Sequence, residues 1–315
     1  MERRFVVFGL GLAALIGILF LASIGNHRIQ VVREQATHLP PGQLVAVNGH
    51  RLHVYGEGAG QPTLVFLSGS GTTAPTYDFR GLYRRLSGDY RTVVVERAGY
   101  GWSDHSNASR DITTVLAETR TALRASGHYP PYVLFPHSMS GLEALHWANR
   151  YPEEVVAIVG LDPSVPSVYE VLPPPQLLLE FVAFSARTGL LRLVPSLCRD
   201  APPVSRGYVS EEDADAYCAI LFGRTMTPDM LAEISVTQAN ARLVSSEGIP
   251  DVPLYLFVST GTDVAVPNWT ELLVEYAEAA GGRYQLLDVS HYVHNLASDT
   301  IAAETRVFLQ AIVGQ

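Results

Sequence analysis

The hydropathy pattern begins with an uncharged run of 20 residues, Phe5 to Ile24, enough for one helix to cross the hydrocarbon core of a bilayer. A cleaved signal peptide has a shorter apolar region, about 7 to 15 residues, and wants a small-x-small cleavage site. Ser23-Ile24-Gly25 is a poor one, so residues 1–25 read as an uncleaved anchor. Arg3 and Arg4 precede the run, and Arg28 and Arg33 lie a little beyond it. That slight basic bias predicts a chain whose remaining part is extracytoplasmic. Gly9, Ala13 and Gly17 form a small-residue stripe of a kind common in membrane helices, and no dimer follows from it.

Beyond a polar linker over residues 26–42, the pattern changes period. Gln43 to Val47 and Leu52 to Gly56 flank Asn48-Gly49, the dipeptide most favoured in a tight hairpin turn. Short apolar runs follow at Thr63–Leu67, Thr92–Glu96, Tyr132–Phe135, Val155–Leu161, Pro253–Val258 and Tyr284–Leu287. Such runs suit strands buried on both faces of a parallel sheet. Between them, helical spacing is found over Thr113–Ala125, Gly141–Ala148, Leu272–Ala280 and Ile301–Ile312. The alternation predicts an α/β fold with a mostly parallel central sheet and helices on both faces, built from residues 43–162 and 251–315. Residues 163–250 break the rhythm: they hold Pro173-Pro174-Pro175 and helical runs near Gln176–Phe184, Glu211–Phe222 and Met230–Arg242. They read as a helical cap inserted over the sheet. Leu177, Leu178, Leu179, Phe181, Val182 and Phe184 are more apolar than a solvent-facing helix requires, so this run packs either on its own domain or on something else that is apolar.

Composition narrows the chemistry. The formal charge is -9 and no basic cluster follows the first few residues, which argues against a nucleic-acid partner. All 22 basic residues are Arg, since the chain contains no Lys. A phosphate-binding Walker loop, a Schiff-base lysine and a Ser-Lys dyad are thereby excluded. Cys198 and Cys218, the only cysteines, could form one bridge in an oxidising compartment or remain two buried thiols. No metal, nucleotide or flavin signature is present, so no cofactor is expected. Asn107-Ala-Ser109 and Asn268-Trp-Thr270 match glycosylation sequons and are assigned no role.

Candidate chemistry collects where strands end. In Leu134-Phe135-Pro136-His137-Ser138-Met139-Ser140-Gly141 an apolar strand runs into Ser138 and then a helix, the context that lifts a serine hydroxyl above a sheet. A helix cap is the plainer role for such a serine. Met139 would offer its backbone N–H to a bound carbonyl oxygen, and Ser70 in Ser68-Gly69-Ser70-Gly71 would offer a second, unless that segment is only a flexible turn. Asp263 follows one strand and could orient a base or merely close a turn; His291 follows the last and has a suitable side chain for a general base. His294 competes with His291, and His137 is read as structural because it faces away from the nucleophile if the strand alternates.

The order Ser, Asp, His, each beyond a strand, is that of the α/β-hydrolase triad. From about Gln43 onward the sequence resembles an α/β-hydrolase, and looks like bacterial members with an N-terminal membrane segment and a helical cap. Glu96-Arg-Ala-Gly-Tyr-Gly-Trp-Ser-Asp104 is similar to the family's D-R-P-G-Y-G-x-S-D loop, Asp263-Val-Ala-Val-Pro267 to its D-x-x-V-P motif, and Ser290-His291-Tyr-Val-His294 to its G-H-x-x-H motif. The resemblance implies Ser138 as nucleophile, Asp263 as acid, His291 as base, and the N–H groups of Ser70 and Met139 as oxyanion hole. Asp162 is the second candidate acid, since some members place it there. Pro136 and Ser140 stand where the family's elbow has glycines, and Ser68-Gly69 replaces its His-Gly. The implied activity is a membrane-anchored serine hydrolase acting on a small, apolar ester through an acyl-enzyme. Thioester, carbon-carbon or peptide-bond hydrolysis, or non-catalytic binding of an apolar ligand, would use the same frame. Oligomeric state is not legible.

Overall fold

Asn48 and Gly49 turn the first hairpin with φ of 49° and 92°, joining β1 (Gln43–Val47) to β2 (His50–Glu57) as the dipeptide predicts. The computed structural model describes residues 2–171 and 175–313; Pro173 and Pro174 of the proline run lie outside the described residues. The remaining strands are β3 (Thr63–Leu67), β4 (Arg91–Glu96), β5 (Tyr132–Ser138), β6 (Val155–Pro163), β7 (Leu254–Val258) and β8 (Arg283–Leu286). They form one sheet in the order β1-β2-β4-β3-β5-β6-β7-β8. β1 and β2 pair antiparallel, as do β2 and β4, and every later pair is parallel.

The helices used below are α1 (Glu2–Thr37), α2 (Arg80–Leu86), α3 (Ile112–Ala125), α4 (Ser140–Arg150), α5 (Gln176–Arg187), α6 (Glu211–Arg224), α7 (Pro228–Glu247), α8 (Trp269–Ala279) and α9 (Ser298–Val313). Alternation along each strand sends side chains to opposite faces. Val65, Val93, Val95 and Leu134 meet Leu116, Leu142 and Leu273 on one face, so α3, α4 and α8 pack there. Leu64, Phe66, Val94 and Phe135 meet Leu82, Ile301 and Phe308 on the other, covered by α2 and α9. The parallel strands end along one edge, the ordinary place for a ligand crevice in such a sheet. Helix α2 was not anticipated; Arg80-Gly-Leu-Tyr-Arg-Arg-Leu86 is too short for its periodicity to stand out.

Between β6 and β7 the described residues hold helices and no strand, as expected of the insertion. Its packing onto the sheet domain runs through Tyr217, Ile220 and Phe222 of α6, against Ala74 and Tyr77. Ser210 caps α6, its Oγ accepting from the Asp213 N–H, and Thr227 caps α7 in the same way toward Met230. Cys198 and Cys218 are joined by a disulfide, with Cα atoms 5.2 Å apart, which selects the bridged alternative.

The stretch expected to be a linker is helical as far as Thr37. Good helix formers continue past the apolar run, and neither Gly nor Pro interrupts residues 26–37. This part of α1 is fastened to the cap. Arg192 makes a two-pronged ion pair with Glu34, both contacts 2.7 Å, and reaches Nδ1 of His27 at 3.0 Å. Ser23 Oγ donates to the Thr188 carbonyl at 2.9 Å.

Candidate active site

Ser138 closes β5 with φ of 53°, a left-handed conformation that a residue with a side chain adopts only when its surroundings impose it. The imposing contacts are local. Register between β5 and β6 shifts at His137/Ser138, and the Ser164 N–H donates to the Ser138 carbonyl at 2.7 Å. Gly141 lets α4 lie against β6, because a Cβ there would collide with the Ser164 carbonyl oxygen. The family glycine is thus required one position after the usual place. At that usual place Ser140 is accommodated through its hydroxyl, which accepts from the His137 N–H at 2.9 Å and points at the Leu67 carbonyl at 2.7 Å. Pro136 lies beside Leu67 of β3, inside the sheet.

The ring of His291 meets Asp162 and not Asp263. His291 Nδ1 lies 2.6 Å from Oδ2 of Asp162, at the end of β6. Asp162 is fully buried and, like Ser138, has positive φ, 52°. Its carboxylate also accepts from the Ser259 N–H at 2.8 Å, the Ser259 hydroxyl at 2.6 Å and the Trp269 indole N–H at 3.0 Å. Asp263, the expected partner of the ring, instead accepts from the main-chain N–H of His291 at 3.0 Å and 3.3 Å. Asp263 sits on the exposed turn after β7, so its carboxylate reaches the backbone of the base loop while the ring turns inward to Asp162. A fully buried carboxylate with three protein donors besides the imidazole is also the better orienting group, since solvent does not screen it.

His294 pairs with a different carboxylate. It is fully buried, with Nε2 2.7 Å from Oδ2 of Asp78, and Asn295 donates to the other oxygen of that carboxylate at 3.1 Å. His137 is buried as well, and its Nε2 meets the His291 carbonyl oxygen at 3.2 Å. The ring centroid of His137 lies 4.6 Å from those of both His291 and His294. Burial, with the other two histidines adding to it, pushes the His137 pKa well below the ordinary range. It therefore stays a neutral imidazole that donates to the main chain at His291.

Ser68-Gly69-Ser70 leaves β3 directly beside the elbow. A Cβ on Gly69 would come within 2.8 Å of the Ser138 Cβ, so the glycine is what allows this approach. Among the described residues no main-chain acceptor occupies the N–H of Ser70 or of Met139, the condition for both to serve an oxyanion. Arg97, buried beneath, donates to the Ser68 carbonyl at 2.5 Å and stacks over Tyr100 with its guanidinium carbon 4.8 Å from the ring centre. Burial opposes its charge, but Glu233, Tyr100 and Glu143 outweigh that and hold its pKa above the usual arginine value. Burial raises Glu143 and Glu233 in turn, with Arg97 opposing. Arg97 belongs to the loop that resembles a family motif, yet its clamp on the loop could not be read from sequence. Nor could the Ser259 and Trp269 bonds to Asp162.

Between this loop and the cap lies a cavity of about 480 Å³. Gly71, Thr72 and Tyr292 line its floor, and Val182, Leu191, Leu197, Tyr217 and Leu221 its cap side. Met226, at φ 50°, places its methyl over Gly71, where a Cβ would be 2.8 Å away. Among the described residues no group of three or more His, Cys, Asp or Glu side chains could hold a metal ion.

Comparison with known proteins bears on the fold and the family. Residues 64–304 match the model of the alpha/beta hydrolase family. An uncharacterized Bacillus subtilis protein, YbdG, is 37% identical over 238 residues, 75% of this chain and 73% of its own. Mouse epoxide hydrolase 4 is 29% identical across 50% of this chain and 48% of its own. Among solved structures, an epoxide hydrolase from Bacillus megaterium aligns with TM-score 0.65 at 20% identity, covering 85% of this chain and all of that one (100%). An enol-lactonase from Burkholderia xenovorans aligns with TM-score 0.63 at 21% identity, covering 85% and 100%. These structural likenesses carry the fold, and with the family match over most of the chain the conclusion is direct: this chain belongs to the alpha/beta hydrolase family.

Proposed function

We propose that the protein is a membrane-anchored serine hydrolase that cleaves a carboxylic ester through a Ser138–His291–Asp162 triad. The observation that carries the reading is the 2.6 Å contact of Asp162 with His291 Nδ1, on the strand next to one that ends in a serine at φ 53°. With Nδ1 holding its proton toward Asp162, Nε2 is the free base. Ser138 Oγ attacks the ester carbonyl as its proton passes to Nε2, and the N–H groups of Ser70 and Met139 receive the oxyanion. The proton returns to the leaving alkoxide, which departs as alcohol. Water, deprotonated by the same nitrogen, then cleaves the acyl-enzyme to the acid.

Epoxide opening, named for several of the similar proteins, suits a serine poorly. A serine that opened an epoxide would be left as an alkyl ether, with no carbonyl for water to attack, whereas an acyl ester turns over. An ester or a lactone supplies that carbonyl. The cavity walls of Val182, Leu191, Leu197 and Leu221 favour an apolar acyl or alcohol group.

The anchor rests on α1, which is long and apolar enough to cross a membrane. The Cys198–Cys218 bridge favours an oxidising compartment, hence an extracytoplasmic catalytic domain. The test is intact mass of the full chain in detergent after treatment with a fluorophosphonate, beside Ser138→Ala and His291→Ala. One adduct on the parent chain and none on either variant supports the triad. A folded parent that takes no adduct leaves the chain a binding module.

A further inference from the structure

Helix α5 turns two different faces outward and inward. Leu177, Phe181 and Phe184 follow one another at spacings of four and three, forming one stripe with Leu178 at its edge. They are 90%, 64%, 49% and, for Leu178, 59% exposed. Ala183 and Ala186 are buried on the opposite side, and Val182 lines the cavity beside the oxyanion loop. Four large apolar side chains in one exposed patch are far from the scattered single residues that a soluble surface tolerates. Leu193, Val194 and Leu197, further along the cap, are exposed as well, and Leu197 also lines the cavity, so one exposed apolar residue forms part of the cavity wall.

What covers this patch is indicated by its neighbour. The Phe184 ring stacks on Phe20 of α1 at 5.9 Å between centroids, Thr188 accepts from Ser23, and Arg192 meets His27. The partners ascend together in both segments, so α5 runs in the same direction as α1 where they touch. Phe20 lies within the apolar run that ends at Ile24. Leu177, seven residues before Phe184, is therefore displaced about 10 Å toward the N-terminal, membrane end of α1. Arg192 is neutralised by Glu34 beyond the apolar run. Glu180, the one acidic residue of α5, is exposed at the edge of the stripe between Leu177 and Phe184, and pairs with Arg187 at 3.7 Å.

We propose that α5 is a second membrane-contacting element: its Leu177, Leu178, Phe181 and Phe184 lie in the hydrocarbon of the bilayer that α1 crosses, and the cap wall of the cavity rests on that leaflet. The proposal builds on the anchor reading above and adds to it a surface that follows from the fold of the cap. Its consequence for chemistry is that esters dissolved in the lipid phase reach the cavity along Leu197 without first entering water. Removing these four apolar side chains from water favours the contact.

The experiment uses the full chain in vesicles of phosphatidylcholine and phosphatidylglycerol. Because both native cysteines are bridged, a single added thiol can be labelled without reduction, at Phe181→Cys, Leu12→Cys or, on the exposed side of α8, Glu275→Cys. Each label is read by loss of fluorescence to doxyl lipids. Loss at positions 12 and 181 alike, with none at 275, supports the proposal. Loss at 12 alone overturns it and leaves the anchor standing. Loss at 181 without 12 supports contact by α5 and removes the spanning role of α1, while loss at neither overturns both. A second readout is Phe181→Glu, which should lower turnover of an ester dissolved in the vesicles and spare that of a water-soluble ester. Equal loss on both substrates, or on neither, would count against the lipid route.

Discussion

Asp162 and His291, separated by 129 residues in sequence, meet at 2.6 Å, carboxylate oxygen to ring Nδ1. Asp263, only 28 positions from His291, reaches its backbone instead. The two aspartates therefore hold one histidine from two sides: one sets the ring, the other the loop that carries it.

Asp162→Asn should lower kcat on a nitrophenyl ester by about 10⁴, because an amide in that place favours the wrong imidazole tautomer. Asp263→Asn should cost less than about tenfold, since it exchanges one exposed charge-assisted hydrogen bond for a neutral one. Parallel kinetics with circular dichroism on both variants decide between them. The reverse order of effects would return the acid's role to Asp263.

Acid sensitivity should depend on His137. Its pKa is depressed in the folded protein by burial, so the unfolded chain binds its proton first. The stabilising contribution is complete above about pH 6.5 and is lost as pH falls below that toward the folded value, with a slope of up to about 1.4 kcal/mol per pH unit. Urea denaturation of the parent and of His137→Gln between pH 5 and 8 should show a shallower loss in the variant. Parallel curves would mean that His137 is protonated in the folded chain.

The elbow makes opposite demands at adjacent positions. Gly141→Ala drives a Cβ into the Ser164 carbonyl and should cost on the order of 1–3 kcal/mol of stability together with most of the activity. Ser140→Gly, although it restores the commoner family residue, removes the hydroxyl that binds Leu67 and His137. It should cost about 1 kcal/mol rather than stabilise. Denaturation midpoints of the pair check both statements.

Reduction of Cys198–Cys218 opens a link across 20 positions. The chain-entropy relation gives about 3 kcal/mol for a loop of that size. Melting with and without a phosphine reductant should separate the two forms, with the cap loosening first, because both cysteines lie in it.

The hairpin at Asn48-Gly49, the parallel strands and the elbow at Ser138 could be read directly, since each depends on periodicity or turn chemistry within a few residues. So could Ser70 and Met139 as neighbours of the elbow, and the apolar excess of Leu177 to Phe184. Residues 26–37 were misjudged: helix propensity there outlasts the apolar run, and a polar stretch looks like a linker until Arg192 is seen gripping Glu34.

Sequence alone determined the family resemblance and that Ser138 and His291 each follow a strand, because these depend on local strand-to-helix patterns. Which aspartate meets the His291 ring lay beyond it. Asp162 and Asp263 both follow strands, and only the tertiary packing of Ser259, Trp269 and His291 around one buried carboxylate selects between them. The same holds for α5: its leucines and phenylalanines were visible as an apolar run, but whether they faced the core or the outside was settled by which side Ala183 and Ala186 buried. Contacts between residues a hundred positions apart depend on how whole elements are laid against one another, and periodicity within one element does not contain that information.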